Sequence, residues 1–496
     1  MRRIVLDMAS QVMPLASNLI DRVILTAVMV RIWGITGFEY WSILMAAVTI
    51  FSIIDMGSQI SFSNKMAEAA HAGAKDQAAR IYAESNMIFL GLAATVMGLT
   101  LLVALVPPVQ QLMGLPAPLG GRDQIAVLAL GFAVAGRMAM SNQAGVYRAN
   151  SAFARGTTLI AGIDVLRVAL TLGTLAFGLD LMAAALATAA SVVIGNMLVM
   201  SFDIARRFPL FRYRVARPTP FSTRGQLRLG LLYSVGFIPS VVMVQLPVLL
   251  IGSNAGATTG ILASYVLLRT LSNFLRTAIS KFTFVLAMEL ARLKTQKRDD
   301  LFDSTYRLVT RAVACLFGLM AGMLLGFGPD LMQLWVGKAE LFDPLILLLM
   351  LSPLVMTPTV QIASPYLTFA SRPGPVAKAV LLQSAAAALL AVALPIDNIA
   401  IRLTVAVYCT ELFPLALVIL RAVHARWSLQ TLWDEASATA LAIGLLVASY
   451  GASVAIRPLL AGQVMTLAGG AMIGAAFALA VLAGFYRPFM RWKANR

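Results

Sequence analysis

Long apolar segments separated by short polar connectors recur along the whole chain. Each segment has about the 20 residues that a helix needs to cross the hydrocarbon core of a bilayer. Since a backbone inside a bilayer must satisfy its own hydrogen bonds, these segments are predicted to be helices. The pattern predicts about fourteen spans, at residues 8–32, 38–64, 82–106, 123–147, 157–178, 180–204, 227–251, 257–288, 304–328, 343–370, 376–395, 398–422, 434–456 and 463–486. Only the tripeptide GLD at 178–180 separates the fifth span from the sixth.

Composition supports an all-α polytopic membrane protein. The 496 residues are 59% hydrophobic and only 12% charged, whereas soluble domains have about 25% charged residues. The first residues lack a short apolar core followed by a small-residue cleavage site, so we interpret them as the start of the first span.

The basic residues predict the orientation of the chain. Its net charge is +17, and with a cytoplasmic N-terminus 28 of the 39 lysines and arginines fall in cytoplasmic segments. The outer connectors have only five bases, which are Arg31, Arg122, Lys338, Arg402 and Arg457. This asymmetry follows the positive-inside rule and predicts that both termini are cytoplasmic. It also explains the excess charge through anionic lipid, so nucleic acid is not an expected partner.

Little in the sequence indicates catalysis or a cofactor. The two cysteines, Cys315 and Cys409, lie in apolar segments, and the two histidines, His71 and His424, lie in separate connectors. Neither pair has the spacing of a metal site. No outer connector is long enough for the loop that a membrane glycan polymerase or ligase needs for its catalytic residues. We therefore expect a protein that is not an enzyme and needs no cofactor.

The eighth span has a polar stripe in its apolar sequence. The stripe recurs at helical spacing and consists of Tyr265, Arg269, Ser272, Asn273, Arg276 and Ser280. An intramembrane arginine costs about 2.5–3.5 kcal/mol on insertion scales. The chain has no carboxylate between Asp203 and Glu289. The counter-charge for Arg269 and Arg276 is therefore expected from a distant helix or from a ligand.

Other predicted spans also have charges near their middle. Asp164 and Arg167 are three residues apart and are expected to pair on one helix face, and Asp21 is expected to neutralise a base on another helix. The remaining groups are Arg22 in span 1, Ser52, Asp55, Gln59 and Ser63 in span 2, Arg137, Ser141 and Asn142 in span 4, and Glu411 in span 12.

These residue types favour the binding of an anion. A guanidinium group stays charged at any relevant pH and matches a phosphate with two parallel hydrogen bonds. Hydroxyl and amide groups beside it suit a glycan. A phosphate-linked sugar therefore fits such a cavity better than an organic cation does.

The stretch VRIWGITGFEYWSILMAAVTIFSIIDMGSQISFSNKMAEA at 30–69 resembles the opening of polysaccharide flippases of the MOP superfamily, the Wzx-type O-antigen and exopolysaccharide flippases. In that family a turn with glycines and aromatic residues leads into a second span with a D-x-G motif and a polar, basic exit. The matching residues here are Gly34, Gly37, Phe38, Tyr40, Trp41, Asp55, Gly57, Asn64 and Lys65.

The resemblance implies two six-helix lobes around a central cationic cavity. It divides the chain into a lobe at 1–205, a basic cytoplasmic linker at 206–226, a second lobe at 227–424 and two accessory helices at 425–496. It also implies a bacterial inner-membrane protein, expected as a monomer. Such a protein moves an undecaprenyl-pyrophosphate-linked oligosaccharide to the outer leaflet by alternating access, with membrane lipids and the glycan polymerase or ligase machinery as partners.

The resemblance assigns candidate roles to the intramembrane residues. Arg22, Arg269 and Arg276 are the expected pyrophosphate ligands, with Tyr265, Asn273 and Arg137 completing the substrate site. Asp55, Glu411 and Asp21 are candidates to take the coupling proton or Na⁺.

Two alternatives remain open. A lipid II flippase has essential bases in spans 1, 2 and 8, but here span 2 has Asp55 and no base before Lys65. A MATE-like, H⁺- or Na⁺-coupled drug antiporter is expected to have carboxylates dominating its cavity. Asp21, Asp55 and Glu411 keep that alternative open.

Overall fold

The computed structural model describes residues 17, 20–54, 58–217, 241–254, 260–370, 372, 374–412, 416–423 and 429–459. In these residues the only regular secondary structure is helical. The chain forms two compact units, Met1–Leu262 and Ala263–Arg496. The predicted class, an all-α polytopic membrane protein, is confirmed.

The first unit, called unit 1, has helices that follow the apolar segments. They are α1 (Thr26–Thr49), α2 (Ser58–His71), α3 (Lys75–Leu105), α4 (Pro107–Leu112), α5 (Gly121–Ala139), α6 (Gln143–Ala149), α7 (Phe153–Ala176), α8 (Leu181–Val192), α9 (Ser201–Arg207) and α10 (Val241–Asn254). A π-helical turn, Ile20–Leu25, precedes α1, a 3-10 turn, Ile50–Ile54, follows it, and a π-helix, Val193–Met200, joins α8 to α9.

The second unit, called unit 2, continues the pattern. Its helices are α11 (Ile261–Thr295), α12 (Asp299–Gly326), α13 (Gly328–Val336), α14 (Pro344–Met356), α15 (Val360–Phe369), α16 (Gly374–Ala393), α17 (Ile399–Thr410), α18 (Ala416–Val423) and α19 (Leu429–Ile456). The first thirteen predicted spans therefore coincide, at least in part, with helices, and the span predicted at 463–486 lies outside the described residues. The predicted linker ends at 226 and the two units divide after Leu262, so the four-part division stays a prediction.

Specific residues set the boundaries between spans. Gly34 has φ +72° and ψ −175° and interrupts helical geometry between the first two predicted spans, in a conformation that favours glycine. Asp180 caps α8 by accepting a hydrogen bond from the backbone N–H of Ala183 at 3.1 Å. The predicted break at GLD is therefore confirmed. Span 10 is bent by 57° between α14 and α15, at the sequence Thr357-Pro358-Thr359.

A stripe of small residues holds α12 against α19. Gly318, Gly322 and Gly326 recur every four residues, and a Cβ built on each would lie 2.0–2.4 Å from an atom of α19. The backbones approach this closely only because these positions have no side chain.

Candidate functional site

Unit 1 has two ion pairs, each of which joins α7 to another helical segment. An Nη2 atom of Arg167, on α7, lies 2.8 Å from a carboxylate oxygen of Asp21, in the π-helical turn before α1. Arg137, on α5, donates a hydrogen bond to Asp164, also on α7. The expected pairing between Asp164 and Arg167 is therefore wrong, and each residue pairs with a different helix. Asp21 neutralises a base on another helix, as predicted.

The two pairs differ in exposure. The Arg167 side chain is 15% exposed, whereas that of Arg137 is 46% exposed. Arg22, the neighbour of Asp21, is also exposed on the surface of unit 1. Charged side chains in membrane helices normally face a protein interior or a water-filled cavity. The exposed guanidinium groups of Arg22 and Arg137 are therefore expected to face water instead of lipid.

The polar stripe of span 2 has a structural role in the part that the structure describes. The amide of Gln59 donates to the backbone oxygen of Ser141 at 2.7 Å, where α5 ends and leaves carbonyl groups without helical donors. Ser63 donates to Asn142 at 3.2 Å, and Asn142 donates to Ser85 on α3. These contacts connect α2 and α3 to the short segment between α5 and α6. Asp55, the charged member of the stripe, lies outside the described residues.

The centre of the site in unit 2 is a bidentate ion pair. Both terminal nitrogens of Arg276, on α11, donate to the two carboxylate oxygens of Glu411, and the Nη2–Oε2 distance is 2.9 Å. Glu411 directly follows α17, and its side chain is only 8% exposed. The sequence predicted that the counter-charge of Arg276 comes from a distant helix or from a ligand. In the structure it comes from a distant helix. A proposed phosphate ligand and a proposed coupling acid are therefore partners.

Tyr408 completes this cluster, and sequence reasoning missed it. It lies one helical turn before Glu411, is buried, and interacts electrostatically with Arg276, Arg269 and Glu411. Its spacing of three residues from Glu411 places both on one face of the helix. That spacing is the signal that could have found it.

The rest of the span 8 stripe divides into buried and partly exposed members. Tyr265 is buried, and the guanidinium carbon of Arg269 lies 5.8 Å from the centre of its ring, within the range of a cation–π contact. Ser272 is buried and donates to the backbone oxygen of Met350 on α14 at 3.1 Å. Arg269, Asn273 and Arg276 are partly exposed. Ser280 is exposed. These four side chains are the members of the stripe that an incoming ligand can reach.

A separate cavity lies within unit 1. It has a volume of about 330 Å³, and its lining includes Glu39, Tyr40, Gln111 and Ser253. Glu39 is only 2% exposed. The sequence analysis did not identify it as a candidate, although it stands between Phe38 and Tyr40 in the stretch that resembles the polysaccharide flippases. It is a further buried acid in addition to the candidates for ion coupling.

Comparisons with known proteins give a clear result at the level of the fold. No protein-family model and no curated protein matches the chain. The lipid II flippase MurJ, in an inward closed conformation, matches with a TM-score of 0.71 at 11% identity over 98% of this chain and 99% of that chain. An inward-facing multidrug resistance MATE family transporter of the MOP superfamily matches with a TM-score of 0.60 at 14% identity, over 86% of this chain and 95% of that chain. A mutant MATE transporter from Vibrio cholerae matches with a TM-score of 0.55 at 14% identity, over 86% of this chain and 97% of that chain.

These similarities define the architecture of the molecule. The chain is a multi-pass membrane protein, and it shares its fold with the solved structures of the lipid II flippase and the MATE transporters. The match to the flippase covers nearly the whole chain, whereas the MATE matches cover less of it. The resemblance to polysaccharide flippases stays a prediction, and so do the roles of the individual site residues.

Proposed function

We propose that this protein is a flippase that moves an undecaprenyl-pyrophosphate-linked oligosaccharide, an O-antigen or exopolysaccharide repeat unit, from the inner to the outer leaflet by alternating access. The observation that carries the proposal is the excess of guanidinium groups over acids among the described charges near the middle of the predicted spans. Five arginines, Arg22, Arg137, Arg167, Arg269 and Arg276, accompany three carboxylates, Asp21, Asp164 and Glu411.

The excess matters because of which bases are accessible. Arg167 is largely buried against Asp21, so it is less accessible to a ligand than the other four. Arg22 and Arg137 in unit 1, and Arg269 and Arg276 in unit 2, are at least partly exposed. Each unit therefore offers guanidinium groups that match a phosphate in charge and geometry.

In this mechanism Glu411 competes with the pyrophosphate for Arg276. The carboxylate already occupies both terminal nitrogens of the guanidinium group, so a phosphate can take two hydrogen bonds only by replacing it. A proton that binds the Glu411 carboxylate removes its charge and releases Arg276 for the substrate. Proton uptake and substrate binding are thereby linked at one side chain pair.

A binding experiment tests this mechanism. We expect Arg276→Ala to abolish stabilisation of the purified protein by an isoprenoid pyrophosphate, because the anion loses its main ligand. Glu411→Gln is expected to tighten binding and to make it less dependent on pH. The matched control is Glu340→Gln, since Glu340 is an exposed acid that pairs only with Lys338, at 3.6 Å, among its described ion-pair contacts. Unchanged binding in Arg276→Ala and Arg269→Ala, both correctly folded, would refute the anion site.

Two other functions are favoured by particular observations. The similarity over 98% of the chain to MurJ favours a lipid II flippase, although the described part of span 2 lacks a mid-helix base. The buried acid Glu411 favours a MATE-like antiporter. Stabilisation by an organic cation dye, with none by the isoprenoid pyrophosphate, would support the antiporter.

A further inference from the structure

An apolar groove lies at one end of unit 1, beside the helix that leads into the basic connector. Its volume is about 550 Å³, within the range of about 300–1,000 Å³ for ligand pockets. We call it the Arg212 groove. It is lined mainly by Leu198, Val199, Ser201, Phe202, Arg212 and Tyr213.

The wall that contains Arg212 is held in place by the folded start of the connector. The backbone N–H of Ala216 donates to the carbonyl of Ala83 on α3 at 3.0 Å, and the amide of Asn86 donates to the carbonyl of Arg214, also at 3.0 Å. Phe211 is buried, with its ring against that of Tyr82. The segment therefore lies along α3 instead of extending into water.

These contacts place Arg212 at the expected level of the lipid headgroups. The apolar run of span 3 begins at residue 82, and the segment docks on Ala83 and Asn86 at that same level. The other wall enters the predicted hydrocarbon region, because the span that contains Leu198 and Phe202 is predicted to end at 204. Leu198 is 60% exposed and Phe202 is 68% exposed. One groove thus combines a guanidinium group at headgroup level with exposed apolar side chains below it.

The acids near this region are already paired with other bases. Glu84, which lies between the docking residues Ala83 and Asn86, is paired with Arg80 at 3.1 Å. Asp203 is the only carboxylate between Asp180 and Glu289 in the sequence. It is already held by Arg155 at 2.9 Å, by Arg207 at 3.2 Å and by the hydroxyl of Tyr147 at 2.8 Å. Among the described residues, the guanidinium group of Arg212 has no ion pair. The groove therefore favours an anion that is joined to a hydrocarbon chain.

We propose that the Arg212 groove binds an anionic glycerophospholipid of the inner leaflet. Its phosphate accepts hydrogen bonds from Arg212, and one acyl chain packs on Leu198, Val199 and Phe202. A bound lipid of this kind holds the folded start of the connector at the membrane surface. This site is separate from the intramembrane arginines, so it does not depend on the proposed function.

Native mass spectrometry of the purified full chain tests the proposal. The protein is titrated with phosphatidylglycerol and, separately, with phosphatidylcholine that has the same acyl chains. We expect one phosphatidylglycerol to be retained in preference to phosphatidylcholine. Arg212→Gln should lower the affinity for phosphatidylglycerol about tenfold, because a charge-assisted pair to phosphate is lost. The matched control is Arg206→Gln, since Arg206 is exposed nearby but does not line the groove.

A second variant tests the apolar wall independently of the charge. Leu198→Trp is expected to fill part of the groove and lower the affinity while Arg212 stays intact. Equal retention of both lipids, or an equal loss of affinity in Arg206→Gln, would show only general attraction to anionic lipid and overturn the proposal. Complete displacement by free glycerol phosphate, or tighter binding of an isoprenoid phosphate, would also overturn it. Because Leu198, Arg206 and Arg212 are exposed, the variants are expected to keep the wild-type melting temperature and elution volume.

Discussion

Arg276 and Glu411 lie 135 positions apart in the chain and form a bidentate ion pair in unit 2. Residue Glu411 is almost fully buried, and the Arg276 side chain is 29% exposed. Removal of one partner from such a pair leaves the other charge without compensation in a poorly solvated place, which costs about 3–5 kcal/mol in soluble proteins. Each partner is therefore needed for the stability of unit 2 as long as the other one is present.

The first prediction concerns stability. Arg276→Leu and Glu411→Leu are each expected to lower the melting temperature of the purified protein strongly. The double variant is expected to be more stable than either single variant, because it leaves no buried charge unpaired. Thermal unfolding in detergent measures this double-mutant cycle. Simple addition of the two single effects would show that the pair is not coupled.

A second prediction tests the pairing in unit 1. Asp21→Asn and Arg167→Gln are expected to be energetically coupled, because their side chains are in contact at 2.8 Å. Asp164→Asn and Arg137→Gln are also expected to be coupled, although less strongly, because Arg137 is 46% exposed and solvent screens the pair.

The control for these cycles is the pair that the sequence suggested. Asp164→Asn and Arg167→Gln should show weaker coupling than either observed pair. If this cycle gave the largest coupling energy of the three, the arrangement seen in unit 1 would be incorrect.

The third prediction concerns the helix packing in unit 2. Gly322→Leu is expected to displace α19, because even the Cβ atom would lie 2.0 Å from the hydroxyl of Ser449. Overpacking of this kind costs about 1–3 kcal/mol or more. Limited proteolysis and thermal unfolding report the loss of packing.

Gly444→Ala is a suitable control for that substitution. Gly444 lies on α19 itself, and a Cβ built there meets no atom within 4 Å. This variant is expected to be neutral or slightly stabilising, since alanine favours a helix over glycine by roughly 0.5–1 kcal/mol. Equal destabilisation by both variants would contradict the close approach of the two helices.

A fourth prediction concerns transport. Arg22→Gln is expected to reduce transport at least severalfold without lowering the melting temperature, because Arg22 is exposed at the surface of unit 1. Arg31→Gln is the control, as Arg31 is exposed on the next turns of helix toward the predicted outer side. Export of surface polysaccharide by cells that produce each variant is the measurement. Normal export with Arg22→Gln would show that Arg22 is not part of the substrate site.

The sequence predicted the span pattern well, because local signals mark the ends of the helices. Gly34 and Asp180 act only on their neighbours in the chain, so their effects can be read from a few residues. The need for a distant partner for Arg276 was also predictable from the absence of nearby acids. Its identity was not, because it depends on how α11 packs against the end of α17.

The contacts that were predicted wrongly or were missed depend on how distant parts of the chain pack together. Asp164 and Arg167 have the spacing of an intrahelical pair, but bases and acids on α5 and before α1 offer closer partners. Gly318, Gly322 and Gly326 form a small-residue repeat like others in the chain. The sequence alone does not show that its partner is α19. The fold of 208–217 along α3 has no periodic signal, since its contacts come from single residues such as Phe211 and Ala216.

The most direct test of the central claim uses a strain that lacks this gene. Its lipids are extracted and analysed by mass spectrometry for isoprenoid-pyrophosphate-linked oligosaccharides. If the protein is the proposed flippase, such a species accumulates, and expression of the wild-type protein, but not of Arg276→Ala, returns it to the normal level. Normal lipid levels, together with altered sensitivity to cationic drugs, would contradict the proposal and make the intramembrane arginines structural counter-charges in a cation antiporter.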